Sequence, residues 1–309
     1  MLDAYVLLSH GTVDDAADIP AFLRNILRGH DASAELVAEV SRRFAAVGGS
    51  PLNRINGQVA ALLEARLGTP VRRASRLWSP SPREVLGELH REGVRSVGVI
   101  ALAQHSAHVY NEAAHEAASS FEGLTLRCAS NWGQSSILID AFARAISGAM
   151  ATAASEPFSV VMTAHSLPVS VVRAGDPYED EVRRAASAVA ARLGIANYRV
   201  AFQSQGMSAG PGGRPMEWLG PTLVQTLDEL KAGGNRGVVV APIGFLADHT
   251  EVLYDIDIEM RGWASARGMW LVRSPSLNDS PLLIDALEEI ARNLEAPPSP
   301  QPSPIGRGS

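Results

Sequence analysis

Gly237-Val-Val-Val-Ala-Pro-Ile-Gly-Phe-Leu-Ala-Asp-His-Thr-Glu-Val-Leu-Tyr-Asp-Ile-Asp-Ile-Glu259 reads as a strand, a loop and a helix. Gly237–Ala241 is an unbroken apolar run built on three valines, as a parallel strand covered on both faces requires. Asp248 is placed to cap the helix that follows, with Glu251 three residues on as in a capping box. Glu251, Asp255 and Glu259 also recur at i, i+4 and i+8, which sets three carboxylates in one stripe. Like charges at that spacing repel, so the stripe must face water or cations, while Leu253 and Ile256 supply a side for the core. Two readings follow. The stripe is a solvated acidic face, or it is a carboxylate ladder at the C-terminal end of a strand, where open α/β sheets hold their ligands.

The same alternation extends outward in both directions. Toward the N-terminus lie apolar strands at Ala4–Leu8, Val71–Trp78, Ser96–Leu102 and Leu124–Ala129, separated by amphipathic helices. The strand at Val71–Trp78 alternates and is rich in arginine, so it belongs at an edge. A second set begins at Phe158–Thr163 and continues through Tyr198–Gln203, Gly237–Ala241 and Trp270–Arg273. Four strands in each half, alternating with helices, give an α/β protein of two Rossmann-like domains, each a four-stranded parallel sheet flanked by helices, with a cleft between them. The expected divisions are 1–153 and 154–278 for the two domains and 279–294 for a closing helix that returns to the first. Residues 295–309 are rich in Pro, Ser and Gly and read as a disordered tail.

Composition narrows the function. The chain has 309 residues, 46% of them hydrophobic and 19% charged, and a formal net charge of −6, so nucleic acid is not the expected partner. Cys128 is the single cysteine, which leaves no disulfide framework and no cysteine-ligated iron–sulfur cluster, and fits a reducing cytoplasm. The N-terminus enters a strand without the pattern of a signal peptide, and no apolar run approaches the ~20 residues of a membrane span. With no obvious apolar patch, a monomer is the expected state.

His10, His105, His165 and Gln203 fall at strand C-terminal ends, where they line a crevice. Three of eight histidines in such places, in acidic company, suit proton transfer or a divalent cation. The plainer reading of His165 is a hydrogen-bonded loop anchor. Ser166 beside it lacks a Gly-x-Ser-x-Gly elbow, which argues against a hydrolase. His105, His108 and His115 invite a zinc site, and His105 and His108 could share a helix face, but His115-Glu-Ala-Ala-Ser119 fails the H-E-x-x-H pattern. The loop Gly210-Pro-Gly-Gly213 matches no phosphate-binding fingerprint, and Pro211 removes an amide donor.

Four motifs in order carry a resemblance. They are Gly48-Gly-Ser-Pro-Leu52; Thr163-Ala-His-Ser-Leu-Pro168 with Asp176-Pro-Tyr178; Phe202-Gln-Ser204 with Trp218-Leu-Gly-Pro221; and Pro242-Ile-Gly-Phe-Leu-Ala-Asp-His-Thr-Glu-Val-Leu-Tyr-Asp255. Together they resemble the ferrochelatase family, over about residues 4–294. The resemblance implies that His165 and Glu251 are the catalytic pair on one face of a bound porphyrin and that both touch metal. It implies that Asp255 and Glu259 extend a metal path, and that ferrous iron is a substrate with no tightly bound cofactor.

Within the family the chain resembles the short coproporphyrin III type. That substrate carries four propionates and needs a wet, cationic mouth. Arg28, Arg43 and Ser50 lie in matching segments, with Gln203 and Trp218 as further substrate-binding candidates. Surface charge is the plainer reading of the arginines. His10 stands where related enzymes have a tyrosine and is a candidate ligand for metal or product iron. Gly133 replaces a tyrosine after Trp132, and the segment from Gln104 to His108 is short. Protoporphyrin IX, a sirohydrochlorin-type ring with cobalt or iron, and a non-catalytic haem or metal carrier remain the alternatives.

Overall fold

The computed structural model of the chain describes residues 1–153, 156–205 and 216–296. The loop at 210–213 and the tail beyond 296 lie outside the described residues. The first half contains β1 (Ala4–Ser9), α1 (Ile19–Ile26), α2 (Ala34–Ala46), α3 (Leu52–Leu67), β2 (Val71–Ser75), α4 (Pro82–Arg91), β3 (Ser96–Ala101), α5 (Ala107–Ala118), β4 (Thr125–Cys128) and α6 (Ser136–Thr152). The second contains β5 (Phe158–His165), α7 (Val169–Arg173), α8 (Tyr178–Leu193), β6 (Tyr198–Gln203), α9 (Leu223–Ala232), β7 (Gly237–Ala241), a π-helix (Val252–Met260), α10 (Arg261–Ala266), β8 (Trp270–Arg273) and α11 (Pro281–Glu295).

Both sheets are parallel and share one plan. The orders are β2-β1-β3-β4 and β6-β5-β7-β8, so in each half the first strand lies between the second and the third. The chain therefore leaves the first strand to one side and later crosses to the other. That change of direction opens a crevice at the C-terminal ends of β1 and β3, and of β5 and β7. Of the strands at these switch points, β1 and β7 are buried at every residue. β2 is an edge strand, as its arginines imply.

The halves are not independently cored. One apolar cluster includes Tyr5 and Leu7 of β1, Leu63 of α3, Ile146 of α6, Met162 of β5, Val189 of α8, Val239 of β7 and Leu287 of α11. α11 lies against α6 and α3, and Tyr5 donates its hydroxyl hydrogen to the carbonyl of Ala291 (3.1 Å). A second cluster packs the π-helix residues Val252, Ile256 and Met260 under β5, β7 and α9.

The helix after β7 differs from the expected one. Val252–Met260 is a π-helix, in which amides reach back five residues rather than four, as the Arg261 amide at its end reaches the Ile256 carbonyl. A spacing of four then falls just short of a full turn, so Glu251, Asp255 and Glu259 stay on one side. Asp248 does not cap it. Its carboxylate is taken by Arg273 (3.0 Å), Ser276 (2.7 Å) and Asn278 (3.1 Å). Arg273 also grips Asp257 of the π-helix (3.0 Å). Long-range ion pairing outweighs the local cap because one guanidinium serves two partly buried carboxylates at once. The helix before β7 begins at Leu223, behind a capping box formed by Thr222 and Gln225.

Candidate active site

His165 is the last residue of β5 and pairs in register with Gln203 of β6. Three contacts hold its loop. Ser166 donates its amide to the Gln203 carbonyl (2.7 Å) and its hydroxyl to the Leu219 carbonyl (2.9 Å). Tyr178 donates its hydroxyl to the His165 carbonyl (3.0 Å). The Trp218-Leu-Gly-Pro221 segment thus acts through its backbone: Trp218 bridges Pro168, and Leu219 donates to the Leu167 carbonyl (2.9 Å). Asp176 receives the amide of Tyr178 (2.9 Å) and faces His108 (3.1 Å).

The imidazole has a defined tautomer. Its Nδ1 lies 2.5 Å from the Ser166 carbonyl, which can only accept, so Nδ1 carries the proton. Nε2 is left with its lone pair, 3.6 Å from Oε2 of Glu251. Glu251 arrives on the chain leaving β7, at the head of the π-helix. The loop that brings it is pressed onto β5: Gly244 donates its amide to the Thr163 carbonyl (2.9 Å), so close that a Cβ at Gly244 would lie 2.5 Å from the Cβ of Ala164. Burial opposes ionisation of Glu251, but His165, His249 and His10 outweigh it and hold the carboxyl below its usual range.

His10 follows β1 and opens into the same cleft, edge-on to Phe22 (6.2 Å between centroids). The surrounding protein disfavours its charged form and lowers its pKa to about 4, against the pull of Glu251. Asp255 lies farther along the ladder and is buried. Burial pushes its carboxyl up to about 6. One oxygen accepts a short hydrogen bond from the Ser204 hydroxyl, and the other lies 3.1 Å from Nη1 of Arg43. Glu259 is exposed. The ladder thus runs from a half-open carboxylate to a buried one and out to solvent.

The remaining candidates divide. Arg43 points across to Asp255 and stacks over Tyr254 (4.9 Å to the ring centroid). Arg28 is exposed at the left-handed end of α1 (φ 55°), with no ion pair among the described residues. The Ser50 hydroxyl and both amide atoms of Gln203 are buried without a hydrogen-bond partner among the described residues. Such groups are rare unless a ligand or water completes them.

His105 and His108 do not share a helix face. His105 precedes α5 and is buried against Gly133 and Tyr178, whereas His108 pairs with Asp176. A Cβ at Gly133 would stand 2.3 Å from the His105 ring, so a larger residue there and this histidine exclude each other. Among the described residues, no three His, Cys, Asp or Glu side chains converge closely enough to hold a metal ion.

Several neighbours escaped the sequence reading. His249 lies 4.8 Å from the Phe245 ring, with protonation disfavoured first by burial. Ser204 holds Asp255. Arg76 stacks on Tyr110 (5.9 Å) and acts electrostatically on His10. Ser204 and His249 stood inside quoted motifs, beside the residues that were chosen; Arg76 and Tyr110 carried no comparable signal.

Comparison with known proteins shows the family. The family model described as Ferrochelatase matches residues 3–294. A ferrochelatase of Acidobacterium capsulatum is 37% identical, covering 97% of this chain and 98% of the relative. A coproporphyrin III ferrochelatase of Mycobacterium marinum is 34% identical over 89% of this chain and 82% of its own length, and one from Geobacillus kaustophilus is 32% identical over 92% and 93%. In fold, the chain is similar to SirB from Bacillus subtilis with Fe3+, at a TM-score of 0.58, 16% identity and 96% coverage of both chains. The chain belongs to the ferrochelatase family of metal-inserting enzymes, whose reaction places iron in a porphyrin.

Proposed function

We propose that this cleft inserts ferrous iron into coproporphyrin III to give coproheme, with His165 and Glu251 handling the pyrrole protons and the metal. The observation that carries the proposal is the fixed tautomer of His165, whose free Nε2 lone pair faces Glu251 at 3.6 Å. A free-base porphyrin must release two pyrrole protons for each divalent metal it takes up. Nε2 accepts one proton; the carboxylate facing it stabilises the imidazolium and gives the second proton an exit toward solvent. A site that buckles a pyrrole out of plane exposes its N–H and the nitrogen lone pairs together, which is transition-state binding through strain. Oxygen and imidazole donors hold ferrous iron without retaining it as thiolates would. Glu251, Asp255 and Glu259 then form the metal route, and His10 a ligand on the side away from His165. Iron is substrate, and no resident cofactor is called for.

The four-propionate substrate is supported by relatives that carry the coproporphyrin III name and by the cations around the cleft. Arg28 is exposed without an ion pair among the described residues, and Ser50 offers an unpartnered hydroxyl. Trp218 and Gln203 complete the substrate contacts in this reading. The enzyme acts as a cytoplasmic monomer on a small molecule, without nucleic acid or membrane insertion. No helix among the described residues is long and apolar enough to cross a membrane.

The test is anaerobic ferrous-iron insertion, run side by side with coproporphyrin III and protoporphyrin IX. Preference for coproporphyrin III is the expected result. Preference for protoporphyrin IX keeps the chelatase and overturns the substrate. Insertion into neither overturns the proposal in favour of a sirohydrochlorin-type ring or a carrier. Substitution His10→Ala adds a check, because it should shift the Soret band of bound product if His10 ligates the iron.

A further inference from the structure

Arg43 sits where two jobs meet. It belongs to α2, in the first half, yet its Nη1 reaches Asp255 of the π-helix, 212 residues away in sequence and 3.1 Å away in space. Its Nε is held by Glu39 (2.7 Å), which Arg42 also binds through two nitrogens (3.0 and 2.8 Å). Arg42 and Arg43 both lie over the Tyr254 ring, at 5.2 and 4.9 Å from its centroid. The guanidinium is thus tethered at one end by Glu39, and only its outer nitrogen is spent on Asp255. Its side chain is 34% exposed, so an anion in the cleft can reach it without unfolding anything, whereas the Asp255 side chain is 8% exposed. Both Asp255 oxygens are engaged in this arrangement, one by Arg43 and one by Ser204.

We propose that Arg43 is a positioning residue that couples recognition of a macrocycle carboxylate to release of Asp255 for a divalent cation, so that macrocycle and metal each tighten the binding of the other. This rests on the reading of the cleft as a porphyrin site. A propionate that takes the outer nitrogen of Arg43 exchanges one carboxylate for another on the same guanidinium. No charge is lost from Arg43, but Asp255 is left buried with its countercharge gone. A buried carboxylate without a partner is unfavourable, and a divalent cation arriving along Glu259 relieves it. The two ligands then assist each other by equal factors, because coupling between binding sites is reciprocal.

The experiment uses Mn2+ alone as the metal probe, followed by loss of its free electron-paramagnetic signal. It is run with and without zinc coproporphyrin III, an occupant that has its carboxylates but no room for a second metal. In the unaltered protein, the occupant should tighten Mn2+ binding about 10-fold, within the usual range of such couplings. Arg43→Gln should bind Mn2+ tightly without the occupant and gain nothing from it. That is a gain in affinity, which misfolding cannot mimic. Glu39→Gln should do the reverse, weakening Mn2+ binding until the occupant is added, because Arg43 then has Asp255 as its remaining anion. Equal Mn2+ affinity with and without a bound occupant, or no gain in Arg43→Gln, overturns the coupling. Occupancy is read separately from the porphyrin absorption band. If the occupant does not bind at all, the porphyrin reading of the cleft fails and this inference fails with it. If it binds and Mn2+ does not respond, the inference alone fails.

Discussion

The Nε2 of His165 faces Oε2 of Glu251 across 3.6 Å, while its Nδ1 is committed to the Ser166 carbonyl. A neutral imidazole so held has one direction in which to accept a proton, and a carboxylate waits in that direction. Glu251→Gln keeps the shape and removes the charge. Turnover should fall by about 10²–10⁴-fold, the usual range for a general acid–base group, while porphyrin affinity changes little. His165→Ala should lose a similar factor. Steady-state zinc insertion with fluorescence titration of the porphyrin checks both. Retained turnover in Glu251→Gln would remove that residue from the chemistry.

The approach of Glu251 depends on a glycine. A methyl group at Gly244 would meet the Cβ of Ala164 at 2.5 Å and its Cα at 2.6 Å, with backbone on both sides and no flexible side chain to give way. Gly244→Ala should cost about 1–3 kcal/mol of stability, as overpacking does. It should also lower insertion by about 10²-fold or more, because a misplacement of ~1 Å between catalytic groups has that effect. Gly262 is the control. It is helical and exposed, with nothing within 4 Å of a Cβ there, so Gly262→Ala should stabilise by about 0.5–1 kcal/mol with unchanged activity. Urea unfolding and initial rates on the two variants separate these outcomes.

Arg273 ties β8 to the chain on both sides of Glu251. It binds Asp248 before the π-helix and Asp257 within it, each at 3.0 Å. The arginine side chain is only 12% exposed, so its removal strands two carboxylates. Arg273→Met should destabilise the fold by about 3 kcal/mol, in the manner of a broken buried pair. Adding Asp248→Asn and Asp257→Asn should restore part of that loss, since the uncompensated charges cause most of it. Denaturation midpoints of the single and triple variants decide the matter. A triple variant no more stable than the single would show that packing, not charge, is at stake.

What could be read from the chain, and what could not, follows from range. The strand at Gly237–Ala241, the strand-end positions of His10 and His165, and the order of the motifs are local patterns. They carried the two parallel sheets and the family. The ladder at Glu251, Asp255 and Glu259 was visible as spacing, but its unequal burial was not. Asp255 is buried because Arg43 and Ser204 come to it from 212 and 51 residues away. Asp248 looked like a cap because Glu251 follows at three, and Arg273, 25 residues on, claimed it. The π-helical turn has no distinct apolar period over nine residues, so an α-helix was the natural expectation. His105 and His108 looked like neighbours because they are three apart. The helix starts between them, so their side chains diverge.

His105 itself yields a prediction about pH. Its ring is buried, and burial lowers its pKa from 6.5 to about 4, against the opposing pull of the nearby Ile243 backbone. In the unfolded chain the imidazole titrates near its ordinary value, so below about pH 6.5 the unfolded state binds a proton that the folded state refuses. Stability is therefore lost as pH falls from about 6.5 toward 4, and none of this loss appears above pH 7. Between pH 7 and pH 5 the loss amounts to about 2 kcal/mol by linkage. His105→Gln removes the titrating group, so its stability should fall less over the same interval, whatever its stability at pH 7. The measurement is urea unfolding of both proteins at pH 7 and pH 5, compared as differences of differences. Parallel losses in the two would mean that His105 is protonated in the fold at pH 5, with a partner supplied by water or by a movement of the ring.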